Sequence, residues 1–389
     1  MEMSSQSSQE EQTRKALKPM CSFNEARNIL KSNWNITNVT KLSALESYDD
    51  INFSAVCEDR GVTRKFTLKI HNGVESANQP LLDAQNKMMA HLGKNGCVCP
   101  QPIQPSETTK DCRDAQTSNL YAADTTQAAI TFKILPTLKG GQTPLAVRLL
   151  TWVHGVTMSE VGGNESTLEA AGAFLGSMAT ALLSFDHPAL HREHAWDIRR
   201  TLAIREFIPH IIDERRRSLV LAVLRAFESE VLPYDVSLPR AVIMGDFNDA
   251  NIILDSMSTA ERPRVSGVID FGDAVHTWRI NELAIGMAYS MVGSWGKRDG
   301  HHLRAAQAFF RGYRSSSTSP QLDPTEIRLL PVLIACRLAT SYTFGMYSYS
   351  QDPSNEYLLL HATPAGRALE VWFEETEQSH LLSFLLKEE

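Results

Sequence analysis

Two short runs near the N-terminus, INFSAVC and RKFTLKI, alternate apolar and polar residues, and a period of two predicts paired strands. Ile51, Phe53, Ala55 and Cys57 share one face of the first run, and Phe66, Leu68 and Ile70 one face of the second, with EDRG, Val62 and Thr63 between them. This is the layout of a hairpin. Lys69 falls on the face opposite Phe66, Leu68 and Ile70, so it need not share their core. Upstream, Ser22 and Glu25 stand at capping-box spacing before a helix reaching about Lys31. Downstream, Pro80 opens a helix over LLDAQNKMMAHL that Gly93 ends. From Cys97 to Thr143 the chain is rich in Pro, Thr, Ser, Asp and Gly, and a strand-like patch at Ala128 to Ile134 makes this a long, variable hairpin region. AVRLLTWVHG, Ala146 to Gly155, is a buried strand that stops at His-Gly.

Beyond that point the periodicity becomes helical. Ser166 and Glu169 form a second capping-box pair before a segment in which Leu168, Ala171, Leu175, Met178 and Leu182 recur at helical spacing. Another helix covers ERRRSLVLAVLRAFESEV. The strand runs AVIM, NIILD and VSGVIDFGDA follow, and then four or so helices. The expectation is an α+β chain with a disordered tail at 1–20, a small antiparallel-sheet N-terminal lobe at 21–150 and a larger, mainly helical C-terminal lobe at 151–389.

Composition narrows the function classes. At 389 residues and 43% hydrophobic, the chain is an ordinary globular protein with room for two or three cores. A formal charge of -7 argues against a global nucleic-acid surface, and DERRR at Asp213 to Arg217 reads as a solvated helical face. The most apolar later stretch, Leu329 to Ala339, is interrupted by Pro331 and Arg337 and is too short to span a bilayer. The polar N-terminus lacks the apolar core of a secretory signal. Of the six cysteines, Cys97 and Cys99 are close, but no second Cys/His pair stands at zinc-ligand spacing. A reduced, cytoplasmic protein that binds neither nucleic acid nor membrane is the expectation.

The chemistry concentrates in VIMGDFNDANIILD, where Asp246, Asp249 and Asn251 sit between two apolar runs. Asn251 is five residues past Asp246, and Asp270 ends a hydrophobic strand in VIDFGD. Phosphoryl transfer needs an aspartate at the acceptor hydroxyl, an amide and a carboxylate oxygen for Mg²⁺, and a lysine on the phosphates. The order Asp-x4-Asn, then Asp-Phe-Gly, matches kinase catalytic loops. Polar turns between core strands would account for each residue alone, but not for their order together with a strand lysine and the hinge-like VRLLTWVHG.

SYDDINF, the LLDAQNKMMAHL helix, VRLLTWVHG, MGDFNDANIILD and SGVIDFGDA resemble the aminoglycoside phosphotransferase and choline kinase superfamily, and within it the hydroxylysine kinase family. The resemblance runs from Lys18 onward, except for about Cys97 to Thr143, and implies a bilobal protein-kinase-like fold. It implies transfer of the γ-phosphate of GTP, with Mg²⁺, to the side-chain hydroxyl of 5-hydroxy-L-lysine. Asp246 would then be the catalytic aspartate, Asn251 and Asp270 the metal ligands and Lys69 the contact to the α/β-phosphates, the alternative for Lys69 being a solvated edge-strand lysine. Asp83 would be the acidic partner of Lys69, with Glu75 as fallback. Met244 stands where the family places His. SYDDIN has no glycine-rich loop, so Asn52 and nearby amides would cover the phosphates, unless the segment is a plain turn. Leu150, Thr151, Trp152 and Val153 would offer backbone groups to the base, which does not separate GTP from ATP.

An acceptor with two ammonium groups and a carboxylate calls for acids and an arginine. Asp249, Asp273 and Glu282 are the acids nearest in sequence. Arg337, on an apolar helix, fits either the substrate carboxylate or a structural acid, and Trp196 either lines the cleft or belongs to the core. Two other functions stay open. One is a kinase of another amino alcohol, which for choline would need an aromatic cage from Trp152, Trp196, Trp278 and Tyr342. The other is a non-catalytic nucleotide-binding module.

Overall fold

The computed structural model describes residues 13–386 apart from 48, 60, 107–128, 258–261, 294, 299, 355–358, 375 and 377. The chain divides into two compact units, Met1–Val153 and His154–Glu389.

In the first unit Ser22 caps helix α1 (Phe23–Trp34), and Glu25 completes the predicted capping box. Strands β1 (Val39–Leu45), β2 (Ile51–Asp59) and β3 (Val62–Ile70) follow, then helices α2 (Gly73–Ser76) and α3 (Gln79–Lys94), then β4 (Pro102–Ile103), β5 (Thr131–Pro136) and β6 (Gln142–Thr151). The sheet order is β1-β2-β3-β6-β4, β5 also pairs with β6, and every pairing is antiparallel. Phe53, Ala55, Phe66, Leu68, Ile70, Val147 and Leu149 form a core with Ala26, Ile29, Leu30 and Trp34 of α1. Burying each large side chain contributes roughly 1.5–3 kcal/mol.

The opposite face is polar. Asn52 lies across from Lys69, and Lys69 across from Arg148, so three polar side chains form one row over β2, β3 and β6. Two expectations change here. The strand patch at Ala128 to Ile134 is realised as Thr131–Pro136, with Ala128 outside the described residues. Residues 13–20 are not a loose tail: 13–16 make a helical turn, and Pro19 bridges to Thr137.

The second unit opens with β7 (Val156–Thr157) and helices α4 (Met158–Val161), α5 (Glu165–Leu182) and α6 (Glu214–Ala226). It continues through β8 (Arg240–Ile243), β9 (Ile252–Leu254), β10 (Val265–Val268) and β11 (Val275–Trp278) to helices α7 (Ile280–Val292), α8 (His302–Ser315), α9 (Pro324–Gln351), α10 (Leu359–Leu369) and α11 (Gln378–Leu386). Helix α5 starts one residue before Ser166, because Asn164 in extended backbone accepts from Thr167 N (2.9 Å); Glu169 pairs with Arg311 instead of closing a box. Asp213 caps α6, and Asp213, Glu214 and Arg215 are exposed, in keeping with a solvated face. Pro331 does not interrupt α9. A proline inside an exposed helix costs about 3 kcal/mol, and burial of Leu329, Leu330, Leu333, Ile334 and Leu338 on the same helix offsets it. Although α9 is long and apolar enough to cross a membrane, most of its apolar window is buried within the protein, as in a core helix.

Candidate active site

In the second unit, one loop (244–251) joins β8 to β9 and another (269–274) joins β10 to β11. Because β8 pairs with β11 and β9 with β10, the two loops pass side by side between the same two ladders. That topology brings Asp246 and Asp270 together across a gap in sequence. Ile269 N donates to Asn251 O (2.9 Å) and ties the second loop to the end of the first. Gly245 has φ 84°, and a Cβ there would lie 2.5 Å from Asp273 O, so only glycine allows the loops this approach.

The Asp246 carboxylate is held asymmetrically. Its Oδ2 accepts from Asn248 Nδ2 and Asn251 Nδ2, both at 2.9 Å, while Oδ1 meets Arg337 Nη2 at 3.4 Å. Burial and then Asp273 push this carboxyl above its ordinary range; Arg337 and the Asn248 amide pull the other way. Asp273 is held low, since His194 (Nε2 to Oδ1, 3.2 Å) and Arg337 outweigh the effect of its own burial. A pair of carboxyls whose environments push them apart suits acid–base work.

Asn251 donates its amide nitrogen to Asp246 O (3.0 Å) and Oδ2, which turns its Oδ1 outward as an acceptor. Asp270 is exposed, with φ 64° in the left-handed region, and its Oδ1 accepts from Gly272 N (3.1 Å). An amide oxygen and a carboxylate are the hard donors a small divalent cation prefers, so these two residues fit the metal role.

Several substrate assignments change. Glu282, 2% exposed, is no acceptor ligand: its carboxylate accepts the backbone N–H of Met244 and of Gly245 (3.2 Å) and so anchors the start of the catalytic loop. Burial pushes it up to about 7. The Met244 side chain is fully buried. Arg337, 1% exposed, takes the structural alternative, and its acid is Asp246 itself. It donates to Trp196 O (2.8 Å) and Tyr289 OH (3.1 Å), and its guanidinium lies between the Trp196 and Tyr289 rings. Trp196 also packs edge-on against Phe344 and is a wall for Arg337. Asp249 holds Ser159 N through its carbonyl (2.9 Å). Of the acids named from sequence, Asp273 raises Asp246 more than Asp270 does.

Trp278 and Tyr342 do not serve as walls of the expected aromatic cage. Trp278 is sealed in the core with Nε1 on Asp235 O, and Tyr342 is buried beside Arg216. Sequence reasoning missed Asn248, Tyr289, His194 and Arg192. The last donates to Gly272 O (2.7 Å) and Ala274 O (3.1 Å), bracing the second loop. Only Asn248 left a local signal, as an Asn inside a turn that binds the backbone N–H groups of Ala250 and Asn251.

In the first unit Lys69 Nζ meets Asp50 Oδ2 at 2.9 Å, so its acid comes from the turn before β2. Asp83 receives Lys87 one helical turn on (2.8 Å), and Glu75 receives His71 (2.9 Å) and Arg14 (3.0 Å). Asp50 thus joins the acids expected at Lys69, and Lys69 also acts on Glu75, the fallback acid, holding it low. Asn52 stands opposite Lys69, with its Oδ1 buried and unbonded. Leu150 is paired to both β3 and β4, and Thr151 exchanges bonds with Gln101, so those two backbones serve the sheet. Trp152 and Val153 lie past the strand end, with Lys65 over the Trp152 ring.

The model of the phosphotransferase enzyme family matches residues 53–324. The chain is similar to hydroxylysine kinase of Mus musculus, 26% identical over 388 residues, covering 93% of this chain and 95% of that protein. Its fold is similar to a microcompartment-associated aminopropanol kinase (TM-score 0.65, 14% identity, 91% of this chain and 98% of that one). It is also similar to the amicoumacin kinase hAmiN solved with AMP-PNP, Ca²⁺ and Ami (TM-score 0.62, 13% identity, 96% and 99%).

Proposed function

The chain belongs to the phosphotransferase enzyme family and is a kinase acting on an alcohol, and from that premise we propose that it transfers the γ-phosphate of GTP to the side-chain hydroxyl of 5-hydroxy-L-lysine. The observation that carries this reading is the convergence of Asp246, Asn251 and Asp270 on two adjacent loops of one unit. The acceptor is inferred from the similarity to the mouse hydroxylysine kinase along nearly the whole chain.

In this mechanism Asp246 orients the acceptor hydroxyl and receives its proton at Oδ1, because Oδ2 already holds two amide N–H groups. Asn251 Oδ1 and Asp270 would hold Mg²⁺, which when bound neutralises charge on the phosphates. Lys69 is assigned to the α/β-phosphates, and Trp152 and Val153 to the base. Asp273 and Asp249 are the acids assigned to the acceptor's ammonium groups.

Arg337 favours a second reading. Since this arginine is committed to Asp246, the carboxylate of an amino acid substrate lacks the partner expected for it, which suits a plain amino alcohol. One assay separates the two. Purified protein with Mg²⁺ and GTP or ATP is given 5-hydroxy-L-lysine, its decarboxylated amine, ethanolamine and choline, and nucleoside diphosphate release is scored. The first reading expects kcat/KM highest for hydroxylysine with GTP; a preference for the decarboxylated amine sinks it. Asp246→Asn should abolish turnover while calorimetry still shows nucleotide binding, and a variant that turns over normally would remove Asp246 from the mechanism.

A further inference from the structure

Residues 13–20 precede the family-matched region, yet they are stitched into the first unit at both ends. On one side Lys139 N donates to Ala16 O (2.8 Å), Leu138 N to Lys18 O (3.0 Å) and Met20 N to Pro136 O (2.8 Å). On the other, Gly73 N donates to Leu17 O (3.1 Å), and Leu17 packs so closely that a Cβ on Gly73 would lie 2.9 Å from its own. Between these anchors Arg14 reaches into the polar face of the sheet. Its Nε donates to Asp49 Oδ2 (2.5 Å), and its Nη2 to Glu75 Oε1 (3.0 Å). Asn72 Nδ2 joins the segment to the same turn, donating to Arg14 O (2.7 Å) and Asp49 O (3.2 Å), while Asn72 N donates to Asp50 Oδ1 (2.7 Å). Asp50 Oδ2 then holds Lys69.

Charge accounting shows what Arg14 does in this cluster. Lys69 and Arg148 face each other across strands, a placement that like charges oppose. Arg148 is drawn off by uncharged partners: His71 Nε2 (2.9 Å), Asn86 Oδ1 (2.8 Å) and Gln85 Oε1 (2.8 Å). Because Arg148 donates to Nε2, His71 carries its proton on Nδ1 and donates it to Glu75, as a neutral ring. The acids Asp49, Asp50 and Glu75 therefore face Arg14 and Lys69 as their ionic partners. Arg14 pairs with Asp49 and Glu75, and Lys69 pairs with Asp50 while also helping to hold Glu75 low. Without Arg14, Asp49 would lose its cation and Glu75 would keep the His71 N–H and Lys69, so both acids would draw the lysine inward.

We propose that residues 13–20 are a strap that positions the phosphate-binding lysine, with Arg14 as the positioning residue that reserves Lys69 for the nucleotide. This rests on the assignment of Lys69 to the phosphates, and the test separates the two. Full-length Arg14→Ala, Arg14→Lys, Lys69→Met and the double variant Arg14→Ala/Asp49→Asn are titrated with Mg·GTP and Mg·ATP by calorimetry, with thermal melts and KM for 5-hydroxy-L-lysine measured alongside. Arg14→Ala should weaken nucleotide binding about three- to thirtyfold and leave the acceptor KM unchanged. Arg14→Lys should recover part of the loss, since an ammonium satisfies one acid of the two. Removing Asp49 in the double variant should also recover part, which a general loss of folding would not do. If Lys69→Met leaves nucleotide affinity unchanged, the assignment of Lys69 and the strap both fall. If Lys69→Met weakens binding while Arg14→Ala does not, the strap alone is overturned. Should Arg14→Ala prove too unstable to purify, an unchanged affinity in Arg14→Lys overturns the strap by itself.

Discussion

Arg337 shows how far a residue's role depends on what surrounds it. Its position on an apolar helix demands a partner, and the partner is Asp246, the carboxylate proposed to take the acceptor's proton. Arg337→Ala would leave Asp246, Tyr289 OH and Trp196 O without their cation in a buried setting, a change that costs about 3–5 kcal/mol. Urea unfolding should show that loss together with a fall in kcat. The KM for hydroxylysine and for its decarboxylated amine should move alike; a selective rise for hydroxylysine would return Arg337 to the substrate.

At the scale of elements, the site is a product of strand pairing. The loops 244–251 and 269–274 lie side by side because β8 pairs with β11 and β9 with β10. Helix α7 supplies Glu282 as an acceptor for the first loop's N–H groups, and the segment before Ile198 supplies Arg192 for the second loop's carbonyls. Gly245 is the tightest point of contact. Gly245→Ala should cost about 1–2 kcal/mol for left-handed backbone alone. The shift needed to clear Asp273 O should reduce kcat by up to about a hundredfold. Single-turnover kinetics beside a thermal melt would check both, and a fully active alanine variant would mean that the loops have slack.

Across the whole molecule, ion pairs join segments distant in sequence: Arg14 with Glu75, Arg311 with Glu165, and Arg216 with Glu370. Burial alone would raise these three carboxyls. His71, Lys69 and Arg14 at Glu75, Arg311 and Arg304 at Glu165, and Arg216 and Arg367 at Glu370 outweigh it and hold each below the ordinary carboxylate range. A folded pKa below the unfolded value of about 4.3 means that the stabilisation is complete above that pH and is lost as pH falls through the lower folded values. Between pH 7 and 5 the buried, raised carboxyls of Asp246 and Glu282 take up protons in the folded state, so melting temperature should rise slightly over that range and then decline toward pH 3, and Arg216→Gln should shrink the decline. A flat profile down to pH 3 would contradict these pairings.

Local order was legible in the residues themselves. Alternation at INFSAVC and RKFTLKI placed Lys69 off the hydrophobic face, and Ser22 with Glu25 marked the start of α1, because strand period and cap chemistry act over a few neighbouring residues. Asp246 and Asn251 were legible as a pair five residues apart on one loop, whereas the approach of Asp270 on the second loop follows from strand pairing. Partners were not legible. That Lys69 meets Asp50, that Glu282 serves backbone N–H groups and that Arg337 serves Asp246 depend on which strands and helices pack together. A carboxylate's partner is whichever cation or N–H lies within about 3 Å after packing, and spacing along the chain carries no record of that distance.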